Sequence, residues 1–326
     1  MRAPDFWRRP GLLSTLLTPM ALAYGAAGRL RFAAGRPWRA PVPVLCVGNL
    51  IAGGAGKTPV ALSLAVRLQK RRVDVHFLTR GHGGSAAGPL AVDPRRHGSH
   101  EVGDEALLLA RCASTWVARD RVLGCRAAVA AGAEAIIMDD GFQNPSLAKD
   151  VSLVVVDGGY GFGNGRLIPA GPLREPVEIG LERAQALIII GADEYGVVDG
   201  RAAPPAHGVL RAHVKPGPEA LGLTGRPVVA FAGIGRPEKF FNTLRDIGCH
   251  VRATHAFSDH RPFGKGEIEP LRRQADDLGA VLVTTAKDAV RLGDETRQGI
   301  EVLTITIEWE DETAVNAILK YLMDDG

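Results

Sequence analysis

The chain has 326 residues, of which 46% are apolar, and a formal net charge of +3. This composition is sufficient for packed cores and excludes a low-complexity chain, and the length allows two domains. Four scattered cysteines without C-x-x-C spacing argue against a zinc site or a disulfide framework and favour a reducing compartment. Residues 1–40 carry seven arginines and one acid, whereas the rest carries 32 basic and 35 acidic residues, so we expect no nucleic-acid partner.

An uncharged segment spans residues 11–28 and is bracketed by two pairs of arginines, Arg8 and Arg9 before it and Arg29 and Arg31 after it. Its length barely reaches that of a membrane span, and its proline and glycines weaken that interpretation. We expect one or two short helices in the membrane interface, with the arginines on anionic lipid headgroups. A helix packed on the protein's own core and a cleaved signal peptide are the alternatives.

The stretch IAGGAGKTP, residues 51–59, lies between an apolar run at 42–48 and a helical pattern at 59–68. It nearly matches a phosphate-binding loop, although Ile51 stands where the strict pattern has its first glycine. Backbone amides at a helix N-terminus bind anions, and the alternative is an incidental glycine-rich turn. We expect Lys57 to contact the β- and γ-phosphates of ATP and Thr58 to bind Mg²⁺. The predicted cofactor-binding residues are Ile51, Ala52, Gly53, Gly54, Ala55, Gly56, Lys57 and Thr58.

Apolar runs and helical patterns alternate along most of the chain, and this favours a parallel sheet with helices on both faces. The predicted strands are 42–48, 73–78, 135–138, 151–156, 186–190, 209–214, 228–231, 251–257 and 281–284, and the predicted helices are 59–68, 103–111, 120–131, 237–247, 266–278 and 311–323. The predicted class is a P-loop NTPase-like α/β/α sandwich with a mostly parallel sheet. It comprises an N-terminal membrane-interface helical segment (1–40), a nucleotide-binding domain (41–205) and a smaller α/β domain that begins with linker strands (206–326).

Three groups of polar residues could carry chemistry. Asp139 and Asp140 end an apolar strand, where a P-loop enzyme holds Mg²⁺, although such acids alone are typical of a solvated turn. Asp104 and Glu105 begin a helix, which is also typical of a cap. His260 has the chemistry to act on the proton of an acceptor hydroxyl, or it is a surface histidine.

Eight stretches, taken in order, carry a resemblance over nearly the whole chain. They are RAPVPVLCVGNLIAGGAGKTPV (39–60), TRGHGG (79–84), VGDEALLLA (102–110), DDGFQN (139–144), FGNGRLIPAGPLREP (162–176), GIGRPEKFF (233–241), SDHRPF (258–263) and TTAKDAVRL (284–292). With them the chain resembles the tetraacyldisaccharide 4'-kinase family, which also lacks the first glycine of the loop. The resemblance implies Mg²⁺- and ATP-dependent phosphorylation of the 4'-hydroxyl of a lipid A disaccharide 1-phosphate. It also implies a peripheral position on the cytoplasmic face of the bacterial inner membrane, and we predict no protein partner.

The same resemblance implies roles for individual residues. The catalytic residues are Asp104 as the base, His260 as its partner, Lys57 and Asp140. The metal ligands are Thr58, Asp139 and Asp140, and the substrate-binding residues are Arg80, His82, Glu105, Gln143, Arg174 and Glu175. The chain departs from the family at His82 (usually tyrosine), Asn144 (commonly histidine), Arg261 (often histidine) and Ala286 (usually glutamate).

Asp104 and His260 fall in different predicted domains, so a closing hinge could bring them together only when substrate fills the cleft. Two other functions compete with the kinase. A membrane-associated nucleotide switch would have a lysine before the paired glycines, where this chain has Ala52, and TAKD at 285–288 has the wrong spacing for guanine recognition. A soluble small-metabolite kinase would not need the apolar, arginine-flanked N-terminal segment.

Overall fold

The computed structural model describes residues 4–198, 206–259, 261 and 263–325. The strands in this part of the chain are β1 Val44–Gly48, β2 Val75–Thr79, β3 Leu90–Ala91, β4 Thr115–Val117, β5 Ala135–Asp139, β6 Val151–Asp157, β7 Ala186–Ile190, β8 Val209–Pro216, β9 Pro227–Ala232, β10 His250–Ala256, β11 Val281–Thr285, β12 Ile300–Leu303 and β13 Ile305–Trp309. After a 3₁₀ turn at Asp5–Trp7, the α-helices are α1 Leu12–Leu16, α2 Thr18–Ala33, α3 Lys57–Lys70, α4 Ser99–Val102, α5 Asp104–Ala110, α6 Arg121–Ala130, α7 Val177–Glu182, α8 Ala220–Leu223, α9 Pro237–Asp246, α10 Lys265–Asp277, α11 Ala286–Ala289, α12 Asp294–Arg297 and α13 Glu312–Asp325.

The strands form two sheets. The larger has nine strands in the order β13-β8-β7-β6-β1-β5-β2-β4-β3, and the smaller has four in the order β10-β9-β11-β12. Every pair in the smaller sheet is parallel, and in the larger sheet only the edge pairs β13–β8 and β3–β4 are antiparallel. The predicted mixed α/β fold with a mostly parallel sheet is therefore confirmed.

Both faces of the larger sheet are covered by helices. On one face α3 packs its buried positions Val60, Leu64 and Leu68 against the strands, beside α5 and α13. The spacing of these α3 residues places them on one side of a helix with 3.6 residues per turn, and the proline at 59 is tolerated because it lies in the first turn. On the other face α6 and α7 pack with Phe142. The helix that follows the glycine-rich loop is thus fixed by the core.

The smaller sheet has its own two-sided core. Helix α9 covers one face with Phe240, Phe241 and Leu244, and α10 covers the other with Ile268 and Leu271. Two strands of the predicted smaller domain, β8 at its start and β13 near its end, do not belong to the smaller sheet. They pair with each other at the edge of the larger sheet. The residue between β12 and β13, Thr304, marks the change from one sheet to the other. The predicted boundary at 205 falls next to residues 199–205, which lie outside the described residues, and the three-part division remains a prediction.

The N-terminal segment forms the helices α1, of 5 residues, and α2, of 16 residues. Arg166, in the loop between β6 and α7, donates from Nη1 to the Ser14 carbonyl at 2.9 Å and to the Thr18 hydroxyl at 2.7 Å. Gly25 permits a close approach of α2, since a Cβ there would lie 2.5 Å from Leu167 Cδ1. The segment is therefore attached to the body of the protein through residues 166 and 167.

The outer side of these helices is apolar. Leu12 has 88% of its surface exposed, and the other large exposed apolar residues of the segment are Leu13, Leu16, Met20, Leu22, Tyr24 and Leu30. Within the described residues, no helix is both long enough and apolar enough to cross a bilayer.

Gly48, the last residue of β1, should tolerate no side chain, because an added Cβ would lie 2.4 Å from Phe142 Cβ. We expect Gly48→Ala to lower the free energy of unfolding by about 1–3 kcal/mol, since the root of the Phe142 side chain cannot move without its backbone. Urea denaturation measures this change. Gly266→Ala is the control: Gly266 lies in α10 with nothing within 4 Å of an added Cβ. It should stabilise the protein slightly, and equal stability of the two variants would contradict the prediction.

Candidate active site

The glycine-rich loop joins the end of β1 to the start of α3. Gly53 and Gly56 have positive φ values of 123° and 88°, which side-chain-bearing residues rarely adopt. In the described part of the chain, the backbone amides of Gly53, Gly54, Ala55 and Gly56 donate to no protein acceptor. Free amides ahead of a helix N-terminus, where the helix dipole is positive, form a site suited to an anion.

The first two residues of the predicted loop have a structural role. Ile51 is buried and forms an antiparallel bridge with Leu173, and the Ala52 amide donates to the Pro172 carbonyl at 2.7 Å. The Ile51 side chain belongs to the core cluster that also holds Leu173. This packing gives a physical reason for isoleucine where the strict loop pattern has glycine, and it leaves the amides from Gly53 onward as the anion-binding part.

The start of α3 faces the two aspartates at the end of β5. The register pairs Val47 of β1 with Asp139, so the glycine-rich loop and the aspartates leave the sheet side by side. Thr58 Oγ1 donates to Asp139 Oδ2 at 2.9 Å, and Lys57 Nζ lies 3.7 Å from Asp140 Oδ1. Four predicted site residues thus meet at one point.

Asp140 belongs to a network of predicted substrate-binding residues. Arg174 holds its carboxylate with two nitrogens, at 2.8 Å and 3.3 Å. The same guanidinium donates to Gln143 Oε1 at 3.2 Å, and Gln143 Nε2 donates to Glu175 Oε1 at 3.0 Å. The structure therefore brings Gln143, Arg174 and Glu175 together around one metal-ligand candidate.

The two neighbouring carboxylates have opposite proton affinities. Burial, with a further contribution from the charge of Glu105, raises the pKa of Asp139 to about 7, although Lys57 and the Thr58 hydrogen bond act in the opposite direction. For Asp140 burial also opposes ionisation, but the charges of Lys57 and Arg174 outweigh it and lower the pKa to about 2. Asp139 Oδ1 is buried and has no hydrogen-bond partner among the described residues. Asp140 is thus a stable anion, whereas Asp139 is a carboxyl group that a cation could deprotonate.

The predicted base lies at the start of α5, and a residue from the other half of the chain contacts it. Arg291 Nε donates to Asp104 Oδ2 at 2.7 Å, and its Nη1 donates to the Gly233 carbonyl at 2.8 Å and to Asp288 Oδ1 at 3.0 Å. The Arg291 side chain is 1% exposed, and Asp104 and Asp288 are buried as well. This buried ion-pair cluster joins α5 to the smaller sheet.

Lys287, four residues before Arg291, lies beside Glu105, the acid that follows Asp104. Lys287 Nζ is 3.5 Å from Glu105 Oε1 and 3.7 Å from Asp259 Oδ1. The predicted partner of Asp104, His260, lies outside the described residues, so their pairing remains a prediction. Asp259, directly before it, is nevertheless close to the groups that contact the α5 acids.

The remaining predicted residues, Arg80 and His82, follow β2 and are exposed. The charge of His82 contributes to the low pKa of Asp140. The pKa of Arg121 is lowered to about 10, mainly because Arg121 is buried and in second place because of the charge of Arg80. Both predicted residues therefore interact electrostatically with the same region of the molecule.

The predicted site residues left out several cationic residues near the site. They include Arg291 and Lys287, described above, and Arg236, whose Nη2 lies 2.8 Å from Asp157 Oδ2 and 3.4 Å from the Gly54 carbonyl. Arg236 stands in the stretch 233–241 and the other two in 284–292, so the family-like motifs contained them. Their contacts with Asp157, Gly54, Asp104 and Glu105 join residues about 80 to 190 positions apart, and spacing alone could not assign those contacts.

The fold and the site define a mixed α/β protein whose polar groups collect at the carboxyl edge of a mostly parallel sheet, an arrangement frequent in enzymes that bind phosphorylated ligands. The family model for tetraacyldisaccharide-1-P 4'-kinase matches residues 13–324. The chain belongs to this family and is a kinase, which confirms the resemblance found in the sequence.

Relatives and a solved structure agree with this assignment. The tetraacyldisaccharide 4'-kinase of Rhodospirillum rubrum is 54% identical over 328 residues, covering 99% of this chain and 98% of the relative. That of Rhodospirillum centenum is 54% identical over 330 residues, covering 99% and 97%. A crystal structure of LpxK from Aquifex aeolicus, an "apo" form in complex with ATP, matches 96% of this chain and 100% of that one, with a TM-score of 0.76 and 26% identity.

Asp139→Asn should change the pH dependence of stability in the metal-free protein. Because the pKa of Asp139 is raised from 3.8 to about 7 by folding, its contribution to stability is present at low pH and is lost as pH rises through about 7. Asparagine cannot ionise, so the free energy of unfolding of the variant, relative to that of wild type, should rise by about 2 kcal/mol between pH 5 and pH 8. Urea denaturation at both pH values measures the gap. Asp246→Asn, at an exposed position, controls for the loss of a surface charge, and a gap that stays constant with pH would contradict the prediction.

Arg291→Met should lower the free energy of unfolding by about 3–5 kcal/mol, because it removes the buried guanidinium that contacts the Asp104 and Asp288 carboxylates. Arg291→Lys keeps the charge but not the planar fork, so its loss should be smaller. Chemical denaturation compares both variants with Arg273→Met, which removes an exposed arginine from α10. If Arg291→Met is as stable as that control, the ion-pair cluster does not contribute to the stability of the fold.

Proposed function

We propose that the protein transfers the γ-phosphate of ATP to the 4'-hydroxyl of tetraacyldisaccharide 1-phosphate, a step of lipid A biosynthesis. The observation that carries the proposal is the set of free amides from Gly53 to Gly56 ahead of α3, directly beside Lys57, Thr58 and the two aspartates. Family membership and the ATP complex of Aquifex aeolicus LpxK support the same assignment. On this proposal the fold is that of a P-loop NTPase.

In this function, the loop amides and Lys57 bind the β- and γ-phosphates. The acceptor oxygen forms a bond to the γ-phosphorus while the bond from that phosphorus to the β–γ bridging oxygen breaks, and ADP leaves. The proton of the acceptor hydroxyl passes to Asp104, with His260 as its proposed partner. Arg291 holds the Asp104 carboxylate in place by its 2.7 Å hydrogen bond.

Thr58, Asp139 and Asp140 fit the requirements of Mg²⁺. The ion prefers hard oxygen ligands and is usually held by one or two carboxylates together with substrate phosphates. Asp139 Oδ1 is a buried oxygen to which no group in the described part of the chain donates, and Thr58 supplies a hydroxyl next to the same carboxylate. Among the described residues no group of three or more His, Cys, Asp or Glu side chains forms a metal site, in keeping with an ion held jointly with the nucleotide. Bound Mg²⁺ would neutralise charge on the phosphates.

The acceptor is amphipathic, and the N-terminal segment provides a route to it. We propose that the exposed apolar side of α1 and α2 lies in the interface of the inner membrane on its cytoplasmic face, as a peripheral attachment. The arginines of residues 1–40 would contact anionic headgroups. Arg80, His82, Gln143, Glu105, Arg174 and Glu175 are the proposed residues around the sugar and its phosphate.

Transfer of labelled γ-phosphate from ATP to the lipid A disaccharide precursor in detergent micelles tests the proposal. Wild-type protein with Mg²⁺ should label the lipid. Asp104→Asn should lower kcat by about 100-fold or more while ATP affinity is kept, since a general base acts on the chemical step. Lys57→Met should lower both kcat and ATP affinity, and Lys320→Met, which removes an exposed lysine, is the control.

Two outcomes would overturn the proposal. Steady ATP hydrolysis that is indifferent to the lipid would indicate a nucleotide switch instead. Phosphate transfer to a small soluble acceptor with none to the lipid would indicate a metabolite kinase.

A further inference from the structure

Arg183, the residue directly after α7, lies between two aromatic rings. Its guanidinium carbon is 4.0 Å from the centroid of the Phe32 ring and 4.7 Å from that of Phe142. Phe32 belongs to the last turn of α2, and Phe142 follows the paired aspartates. One cation therefore touches both the N-terminal segment and the loop of the active site.

The same guanidinium is the beginning of a hydrogen-bond chain. Arg183 Nη2 donates to Glu175 Oε2, and Glu175 Oε1 accepts from Gln143 Nε2 at 3.0 Å. Gln143 Oε1 in turn accepts from Arg174, which holds the Asp140 carboxylate at 2.8 Å and 3.3 Å. Five successive contacts thus connect the Phe32 ring with Asp140.

The position of Arg183 depends on Phe32, because the two rings face the guanidinium and the side chain is only 29% exposed. Without Phe32 the cation keeps Phe142 but loses its closer aromatic contact, and solvent can compete for its N–H groups. Glu175 would then lose a fixed donor. Gln143, which also donates to Glu175, donates to the Asn49 carbonyl at 2.9 Å as well. A movement of Gln143 would therefore reach Asn49, which lies shortly before the glycine-rich loop.

We propose that Arg183 is a positioning residue that couples the seating of α2 on the protein to the orientation of Asp140. The inference rests on the proposed function, in which α1 and α2 lie at the membrane and Asp140 binds the metal–nucleotide complex. It implies that the kinase is most active when α2 is docked with Phe32 against Arg183, as it is in this structure. A membrane contact that favours this docking would raise turnover as well as bring the acceptor close.

The test uses the full chain with anionic phospholipid vesicles that contain the disaccharide acceptor. Phe32→Leu and Arg183→Met should each lower kcat by about 5- to 30-fold and weaken the binding of Mg²⁺-ATP by a smaller factor, while co-sedimentation with vesicles is unchanged. The double variant should be no worse than the stronger single variant, because both changes break one chain of contacts. Arg183→Lys keeps the charge and should recover part of the loss.

Two further variants separate coupling from lipid binding and from general damage. Leu22→Ala, on the exposed side of α2, should weaken co-sedimentation. Leu221→Ala, exposed in α8, should match wild type in every measurement. Thermal denaturation checks that each variant is folded. If Arg183→Met is not folded, Arg183→Lys takes its place in the comparison.

Clear results would overturn the inference. Wild-type kcat and nucleotide affinity in Phe32→Leu would show that α2 does not influence the site, and additive losses in the double variant would show two independent effects. If wild type fails to phosphorylate the lipid, the proposed function fails. The coupling is then tested by the affinity for Mg²⁺-ATP alone. Equal losses of affinity in Phe32→Leu and Arg183→Met that do not add in the double variant support the coupling, and unequal or additive losses reject it.

Discussion

The pairing of β1 with β5 is the constraint on which the site depends. Because Val47 lies opposite Asp139, the chain leaves both strands at the same level of the sheet, and the glycine-rich loop emerges beside the two aspartates. A shift by one residue would turn the Asp139 side chain to the other face of the sheet. The buried apolar residues on both faces of these strands make such a shift very unfavourable, so the core sets the geometry of the site.

Two adjacent carboxylates differ in proton affinity because their surroundings differ. Asp140 has a left-handed backbone conformation with φ of 57°, which directs its side chain toward Lys57 and Arg174, and these cations keep it ionised. Asp139 is enclosed, and its available donor is a neutral hydroxyl, so it holds a proton more tightly. Such a pair combines a permanent negative charge with an oxygen whose charge develops as a cation arrives.

Much of the fold could be predicted from the sequence, because continuous apolar runs mark the buried strands and helical spacing marks the amphipathic helices. The strands β3, β4, β12 and β13 were not predicted; β3 and β4 have only two or three residues, which show no period. The change of sheet at Thr304 could not be predicted either, since no local pattern marks it. For the candidate site, the loop and the strand-end acids were visible as local motifs. The contacts of Arg183 with Phe32 and of Arg291 with Asp104 were not, because they join residues far apart in the chain.

The return of β13 and α13 to the larger sheet has a consequence for the synthesis of the chain. Helix α13 supplies Val315, Ile318, Leu319 and Leu322 to the same core as α3, so that side of α3 stays partly uncovered until α13 has left the ribosome. The core around α3, although most of its residues come early in the chain, is therefore incomplete until α13 has been synthesised. Until then a nascent chain of this kind exposes apolar surface, which favours aggregation.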